Sequence, residues 1–145
     1  MKYNELTLQD SEAIVALASE LNPGIDIHAL NSRVNEMFGY ANYVCFGLTV
    51  ESKLVGIASG WLTTRFYSGK QLEIDNVIIS NEHRSQGYGA EFLGFIEKWA
   101  IKNHCQTIEL NTYVANAKSH KFYFNQGYHI LGYHFQKMIN TAKKG

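Results

Sequence analysis

A single junction constrains this chain more than any other feature. The apolar run Val77-Ile78-Ile79 gives way to a polar stretch over 80–89, then to Phe92, Leu93, Ile96, Trp99 and Ala100 at helical spacing, then to a strand pattern over 107–111. Strand, helix and strand in that order make a β-α-β crossover, which is almost always right-handed and sets its two strands parallel. A continuously apolar strand is expected to be buried on both faces and central. Gly87 and Gly89 then fall at the carboxyl end of the first strand. A permissive backbone there lets successive N–H groups converge on a pyrophosphate, and the positive end of the following helix adds to them. Alone, a glycine pair in this position also fits a tight turn that merely packs helix against sheet.

Around the junction the chain reads as one continuous α/β (α+β) domain over 1–145, with no repeat and no low-complexity linker. Residues 2–8 suit a first strand. Asp10 or Ser11 is placed to cap a helix carrying Ala13, Ile14, Leu17, Ala18 and Leu21, and Asn22-Pro23-Gly24 stops it. A second helix over 27–38 presents Ile27, Leu30, Val34 and Met37 along one face. The runs 43–50 and 54–62, separated by Glu51-Ser52-Lys53, read as an antiparallel hairpin, and a turn near Ser68-Gly69 leads to a strand over 72–79. Beyond the crossover, a helix over 117–125 ends at Gly127 and a strand over 128–139 closes the domain. The tail lysines are expected to be solvated.

Composition excludes several classes. With 145 residues, 46% apolar and 18% charged, the chain is the size of one folded domain. Lysine plus arginine balance aspartate plus glutamate at 13 each, so no basic field is available for nucleic acid. No apolar stretch approaches a membrane span and the first residues carry no secretory pattern. Cys45 and Cys105 have no close spacing, which fits a reduced cytoplasmic setting, and the six histidines show no metal-ligand pairing, so no metal is assigned.

Two segments together carry a resemblance. Arg84-x-x-Gly87-x-Gly89-Ala90 resembles the coenzyme-A signature of the GNAT superfamily of N-acetyltransferases. Asn116-x-x-Ser119-x-x-Phe122-Tyr123-x-x-x-Gly127-Tyr128 resembles its second motif, and Asp75-Asn76-Val77-Ile78-Ile79 resembles its acidic-then-apolar fourth strand. The resemblance covers most of 72–128. It implies the GNAT-type fold: a mixed, mostly antiparallel sheet with a central parallel β-α-β unit, flanked by about four helices. It further implies acetyl-CoA as cosubstrate, a primary amine of a small molecule (less readily a peptide) as acceptor, direct attack in a ternary complex, and a homodimer.

Residue by residue, the resemblance implies that backbone groups of Val77, Ile78 and Ile79 pair with the pantetheine arm as an extra strand would. The N–H groups of Arg84, Ser85, Gln86, Gly87, Tyr88, Gly89 and Ala90 hold the pyrophosphate, and Asn116 contacts the pantetheine or phosphate region. Tyr123 lies near the coenzyme's sulfur and supplies the departing thiolate's proton. For the acceptor's proton three routes stay open: Asp75, which matches the acidic position, Glu73 two residues earlier on the same strand face, or a water chain. His120 is a weaker candidate beside Tyr123. The acceptor is expected near the first two helices, Arg65-Phe66-Tyr67, Tyr133 and His134. Departures from the pattern are Asp75 as the shorter acid and Asn76 in place of a second acid. Two other readings compete: a non-catalytic acyl-CoA-binding module, and a dinucleotide-binding fragment built on the glycine turn.

Overall fold

The computed structural model describes residues 1–140, and the tail lysines Lys143 and Lys144 lie outside them. The chain divides into two compact units, Met1–Leu110 and Asn111–Gly145.

The first unit is built on five strands, β1 (Lys2–Glu5), β2 (Tyr43–Val50), β3 (Lys53–Arg65), β4 (Gly69–Ile79) and β5 (Thr107–Leu110), lying side by side in that order. The first three pairings are antiparallel and β4 with β5 is parallel, as the crossover requires. Its helices are α1 (Ser11–Leu21), α2 (Ile27–Phe38) and α3 (Tyr88–Lys102).

Strand periodicity separates two cores. Cys45 and Phe46 are neighbours on β2 and therefore point to opposite faces. Cys45 packs with Ile57 and Ile78 against Ile14, Val15, Leu17, Leu30 and Val34, which places α1 and α2 on one face. On the other face, the Phe46 ring meets Phe95 at 6.1 Å and Trp99 at 5.0 Å, so α3 covers it. Phe46 and Phe92 are both fully buried, and burying a side chain of that size contributes roughly 2–3 kcal/mol.

Several boundaries move from expectation, each for a local reason. β1 stops at Glu5 because Thr7 and Asp10 form a capping box around a 3-10 turn: the Thr7 hydroxyl accepts from Gln9 N while Asp10 Oδ2 accepts from Thr7 N at 2.8 Å. Asp10 is thus occupied by that turn and makes no side-chain cap on α1. β3 and β4 run on to Arg65 and from Gly69, lengthening their ladder beyond 54–62 and 72–79. The hairpin loop Glu51-Ser52 takes positive φ at both residues, 50° and 65°, the twist a two-residue connection demands. β4 is not buried on both faces throughout: Val77 and Ile79 are only half-buried.

A bulge in β4 resets which side chains share a face. Ser59 pairs with Asn76 and Gly60 with Ile74, leaving Asp75 as the extra residue. The pairings put Ile74 and Val77 on the α3 face three residues apart. Without the insertion, Val77 would share a face with Glu73 and Asp75.

In the second unit, α4 (Ala117–Asn125) is capped at its start by Asn116, whose Oδ1 accepts from Ser119 N at 3.2 Å. It ends in a Schellman motif: Gly127 N donates to Phe124 O at 3.1 Å and Tyr128 N to Tyr123 O at 3.0 Å, with Gly127 at φ +89°. The strand expected over 128–139 is absent: the described residues there form neither strand nor helix. Aromatic and β-branched residues favour a strand only where a ladder satisfies their backbone, and composition alone does not supply one.

Candidate functional site

The parallel ladder between β4 and β5 is short. It joins Gln71 to Thr107, Leu72 to Ile108, Glu73 to Glu109 and Ile74 to Leu110, and there it ends, whereas β4 continues to Ile79 against β3. From Asp75 onward, β4 therefore has an edge facing away from β3 with no β5 partner. Such an edge presents backbone groups in the pattern that receives an added extended chain. Val77, Ile78 and Ile79 lie along this open segment, with Ile78 buried among α1 and α2 side chains.

At the end of β4 the chain turns through 80–87 into α3. The Ser80 amide closes onto Val55 O at 2.7 Å, and Ser80 Oγ pairs with His83 Nδ1 at 2.9 Å. Arg84 Nε donates to Ile79 O at 3.1 Å, and Gln86 Nε2 to Glu82 O at 3.0 Å, so both side chains brace the turn. Ser85 and Gly87 take positive φ, 62° and 81°, curling the backbone as an anion-binding nest does. Gly87 is the residue before α3, and no side chain caps that helix. The first amides of a helix lack intrahelical partners, so those of Tyr88, Gly89 and Ala90 are left to an external acceptor. These residues fit a pyrophosphate: open edge, curled turn and uncapped helix are contiguous.

On the α1/α2 face of the split lies a group of acids and rings. Trp61 pairs across the sheet with Tyr43 on β2 and Glu73 on β4, so the three share a face. Its Nε1 approaches Asp75 Oδ2 at 3.5 Å, a long contact that nonetheless puts the bulged residue on the same face. Glu73 Oε2 is held by Arg65 Nη2 at 3.2 Å; this pair is exposed and contributes at most about 1 kcal/mol. Glu109, register partner of Glu73, adds a third carboxylate. The Trp61 ring lies 4.9 Å from Tyr43 and 5.7 Å from Tyr40, and Tyr43 meets Phe38 edge-on at 5.1 Å. The Tyr43 hydroxyl is 2.6 Å from Ser59 Oγ, and burial holds its phenol well above the ordinary range. An open depression lined by Met1, Tyr3, Glu91 and Phe95 belongs to the opposite, α3 face.

In the second unit, Tyr123 is half-buried, its ring 5.2 Å from Phe122 and 5.7 Å from Tyr128, and burial raises its phenol pKa. His120 is turned to the backbone, with Nε2 3.0 Å from Tyr113 O. Asn116 spends its side-chain oxygen on the helix cap, and its amide group remains for other partners.

The structure therefore gathers Glu73, Asp75 and Val77–Ile79 on one strand, with 84–90 at its end, while Asn116 and Tyr123 belong to the second unit. Sequence reading did not single out Trp61, Tyr40, Tyr43 or Glu109. Cross-strand register brings Trp61, Tyr43 and Glu109 onto the face of Asp75, ring packing adds Tyr40 to Trp61, and no local pattern encodes either. Among the described residues no group of three histidine, cysteine or acidic side chains is placed to hold a metal, and no helix is long and apolar enough to cross a membrane.

Known proteins share this fold. The chain is similar in structure to the aminoglycoside N-acetyltransferase AAC(6')-Iy in complex with CoA, with TM-score 0.83 and 14% identity over 96% of this chain and 94% of that one. It is also similar to the "putative acetyltransferase" from Agrobacterium tumefaciens str. C58, with TM-score 0.82 and 20% identity over 95% of this chain and 99% of that one. In sequence it is 25% identical to the streptothricin acetyltransferase of Escherichia coli over 91 residues, 61% of this chain and 48% of that protein, so it matches about half the relative's length. The family model for the acetyltransferase (GNAT) family matches residues 12–128. With the split sheet, the curled turn and this match in agreement, the chain belongs to the GNAT family of acetyltransferases.

Proposed function

We propose that residues 1–145 act as one catalytic domain that transfers the acetyl group of acetyl-CoA to a primary amine of a small molecule by direct attack in a ternary complex. The observation that carries this is the end of the β4–β5 ladder at Ile74 and Leu110, which leaves an open strand edge leading straight to an uncapped helix start.

Acetyl-CoA supplies the activated acetyl thioester. Backbone groups of Val77, Ile78 and Ile79 hold the pantetheine arm, and a strand N–H near Val77 polarises the thioester carbonyl. The amides of 84–90 hold the pyrophosphate, with Arg84 and Gln86 keeping the turn in shape, and the Asn116 amide contacts the pantetheine or phosphate region. As the amine nitrogen bonds to the acetyl carbon and the carbon–sulfur bond breaks, the Tyr123 phenol donates its proton to the thiolate. Burial raises its pKa, which keeps the phenol in the protonated form that can donate. Asp75 accepts the proton from the amine. It is favoured over Glu73 because Glu73 is engaged by Arg65, whereas Asp75 is exposed at the split itself. The names of the similar proteins, aminoglycoside and streptothricin acetyltransferases, support a small-molecule acceptor over a peptide.

The test is an assay of thiol release from acetyl-CoA across a panel of primary amines. Turnover with at least one small amine is expected. Coenzyme binding without turnover over the whole panel would instead identify a binding module, and binding of NAD in preference to acetyl-CoA would overturn the reading.

A further inference from the structure

We infer that Trp61 and Tyr40 form an aromatic wall that receives the acceptor nitrogen as an alkylammonium beside the Asp75 carboxylate. Trp61 and Tyr40 are then specificity residues, and the favoured acceptors are aliphatic amines, charged in water, over neutral aryl amines. The inference rests on the acetyl-transfer reading for the fate of the bound amine but not for its binding.

Three observations carry it. First, rings that serve only the core are covered, whereas Tyr40 is 52% exposed, Trp61 and Tyr43 are partly exposed, and Asp75 is exposed at the same place. Second, three carboxylates share this face, Asp75, Glu73 and Glu109, and of them Glu73 is held by Arg65. Among the described residues Asp75 has no cationic partner, and its contact is with the indole N–H. Third, an indole that gives its N–H edge to a carboxylate keeps its electron-rich faces for other partners, and a cation drawn to that carboxylate is the partner those faces attract.

Position adds purpose to the chemistry. Asp75 is both the inserted residue of the bulge and the first residue past the β4–β5 ladder, so the carboxylate stands at the mouth of the split. Tyr43 is fixed by Ser59 at 2.6 Å and by Phe38, and it backs the Trp61 ring. A nitrogen bound here as ammonium passes one proton to Asp75, from which it leaves to solvent, and the neutral amine then attacks.

The experiment uses tetramethylammonium, which is cationic but has no N–H and cannot be acetylated. Binding to the full chain is read from the indole N–H resonance of Trp61, with the Trp99 resonance as a control for folding. Saturable binding at millimolar concentration is expected, with no comparable response to uncharged tert-butanol. Trp61→Leu should weaken binding roughly ten-fold, whereas Trp61→Phe, which keeps a ring face, should lose less. Binding to Trp61→Leu can be followed by the Tyr40 ring protons. The same order should appear in KM for an alkylamine, with kcat moved less. No saturable response in the wild type, or equal binding by Trp61→Leu, overturns the inference. Tetramethylammonium binding without acetylation of any amine would sink the acetyl-transfer reading and leave the cation site standing.

Discussion

Ile74 and Leu110 form the last rung of the parallel ladder between β4 and β5, and Asp75 begins the open edge beyond it. Asp75 is also the inserted residue of a bulge, and its carboxylate lies on the face that carries Trp61, Tyr43 and Glu73. The irregularity thus leaves the acid on the α1/α2 face, where alternation from Glu73 already puts it, and returns Val77 to the α3 face for the rest of the strand.

The first prediction separates the two strand carboxylates. Asp75→Asn should lower kcat/KM for an alkylamine at least ten-fold, because it removes both a charge and a proton acceptor. Glu73→Gln should change it less than about three-fold, since it removes only half of an exposed ion pair. Steady-state kinetics on both variants decide the assignment, and the reverse order would exchange the roles.

Tyr123→Phe tests the proton donor. The Phe ring keeps the contacts to Phe122 and Tyr128, and the Schellman bonds use only backbone at this position. Stability should therefore change by no more than about 0.5 kcal/mol. Turnover should fall about a hundred-fold, the usual scale for losing a general acid. A fully active Phe variant removes this phenol from the mechanism.

Two glycines should fail for different reasons. At Gly87 a Cβ meets nothing within 4 Å, but φ is +81°, so Gly87→Ala should cost roughly 1 kcal/mol from backbone strain and weaken acetyl-CoA binding through the distorted turn. At Gly60, opposite the bulge, a Cβ would lie 2.7 Å from Leu72 Cδ1, inside a fully buried contact. Gly60→Ala should cost about 1–3 kcal/mol by overpacking. Urea unfolding gives both stabilities, and a coenzyme titration isolates the effect at the turn.

Stability should decline in alkali. Burial pushes the Cys45 thiol up from 9.0 to about 11, and burial with the hydrogen bond to Glu91 pushes the Tyr3 phenol from 10.0 to about 12. Burial also raises Tyr43 and Tyr123. In each case the folded state holds its proton more tightly than the unfolded chain. The contribution is complete below the unfolded values and is lost as pH rises through the folded ones. Unfolding free energy should be insensitive to these groups below about pH 9 and fall progressively toward pH 12. Tyr43→Phe removes one of the four and should shallow the decline above pH 10, which urea midpoints across that range would measure.

Much of the fold was legible because its signals are local. The helical spacing of Phe92, Leu93, Ile96 and Ala100 places those residues in the core, where the structure buries all four. Gly127 marks the end of α4, and it is the left-handed residue of the Schellman motif there. Elsewhere local signals misled. Asp10 has the chemistry of a helix cap yet serves Thr7 three residues earlier, because the capping box satisfies two backbone groups at once. The segment 128–139 has the composition of a strand and forms none among the described residues, since composition does not provide a neighbouring edge.

What the amino-acid order determined by itself is the helices α1 to α4, the central strands, the parallel crossover and the glycine turn that opens α3, because these arise from periodicity and backbone freedom within a few residues. What only the tertiary structure decided is where the β4–β5 ladder stops, that Asp75 is a bulge, and that Trp61, Tyr40, Tyr43 and Glu109 stand around it. Those facts depend on register between strands distant in sequence. A shift of one residue there sends every side chain to the other face, so the site exists only once the whole sheet has assembled.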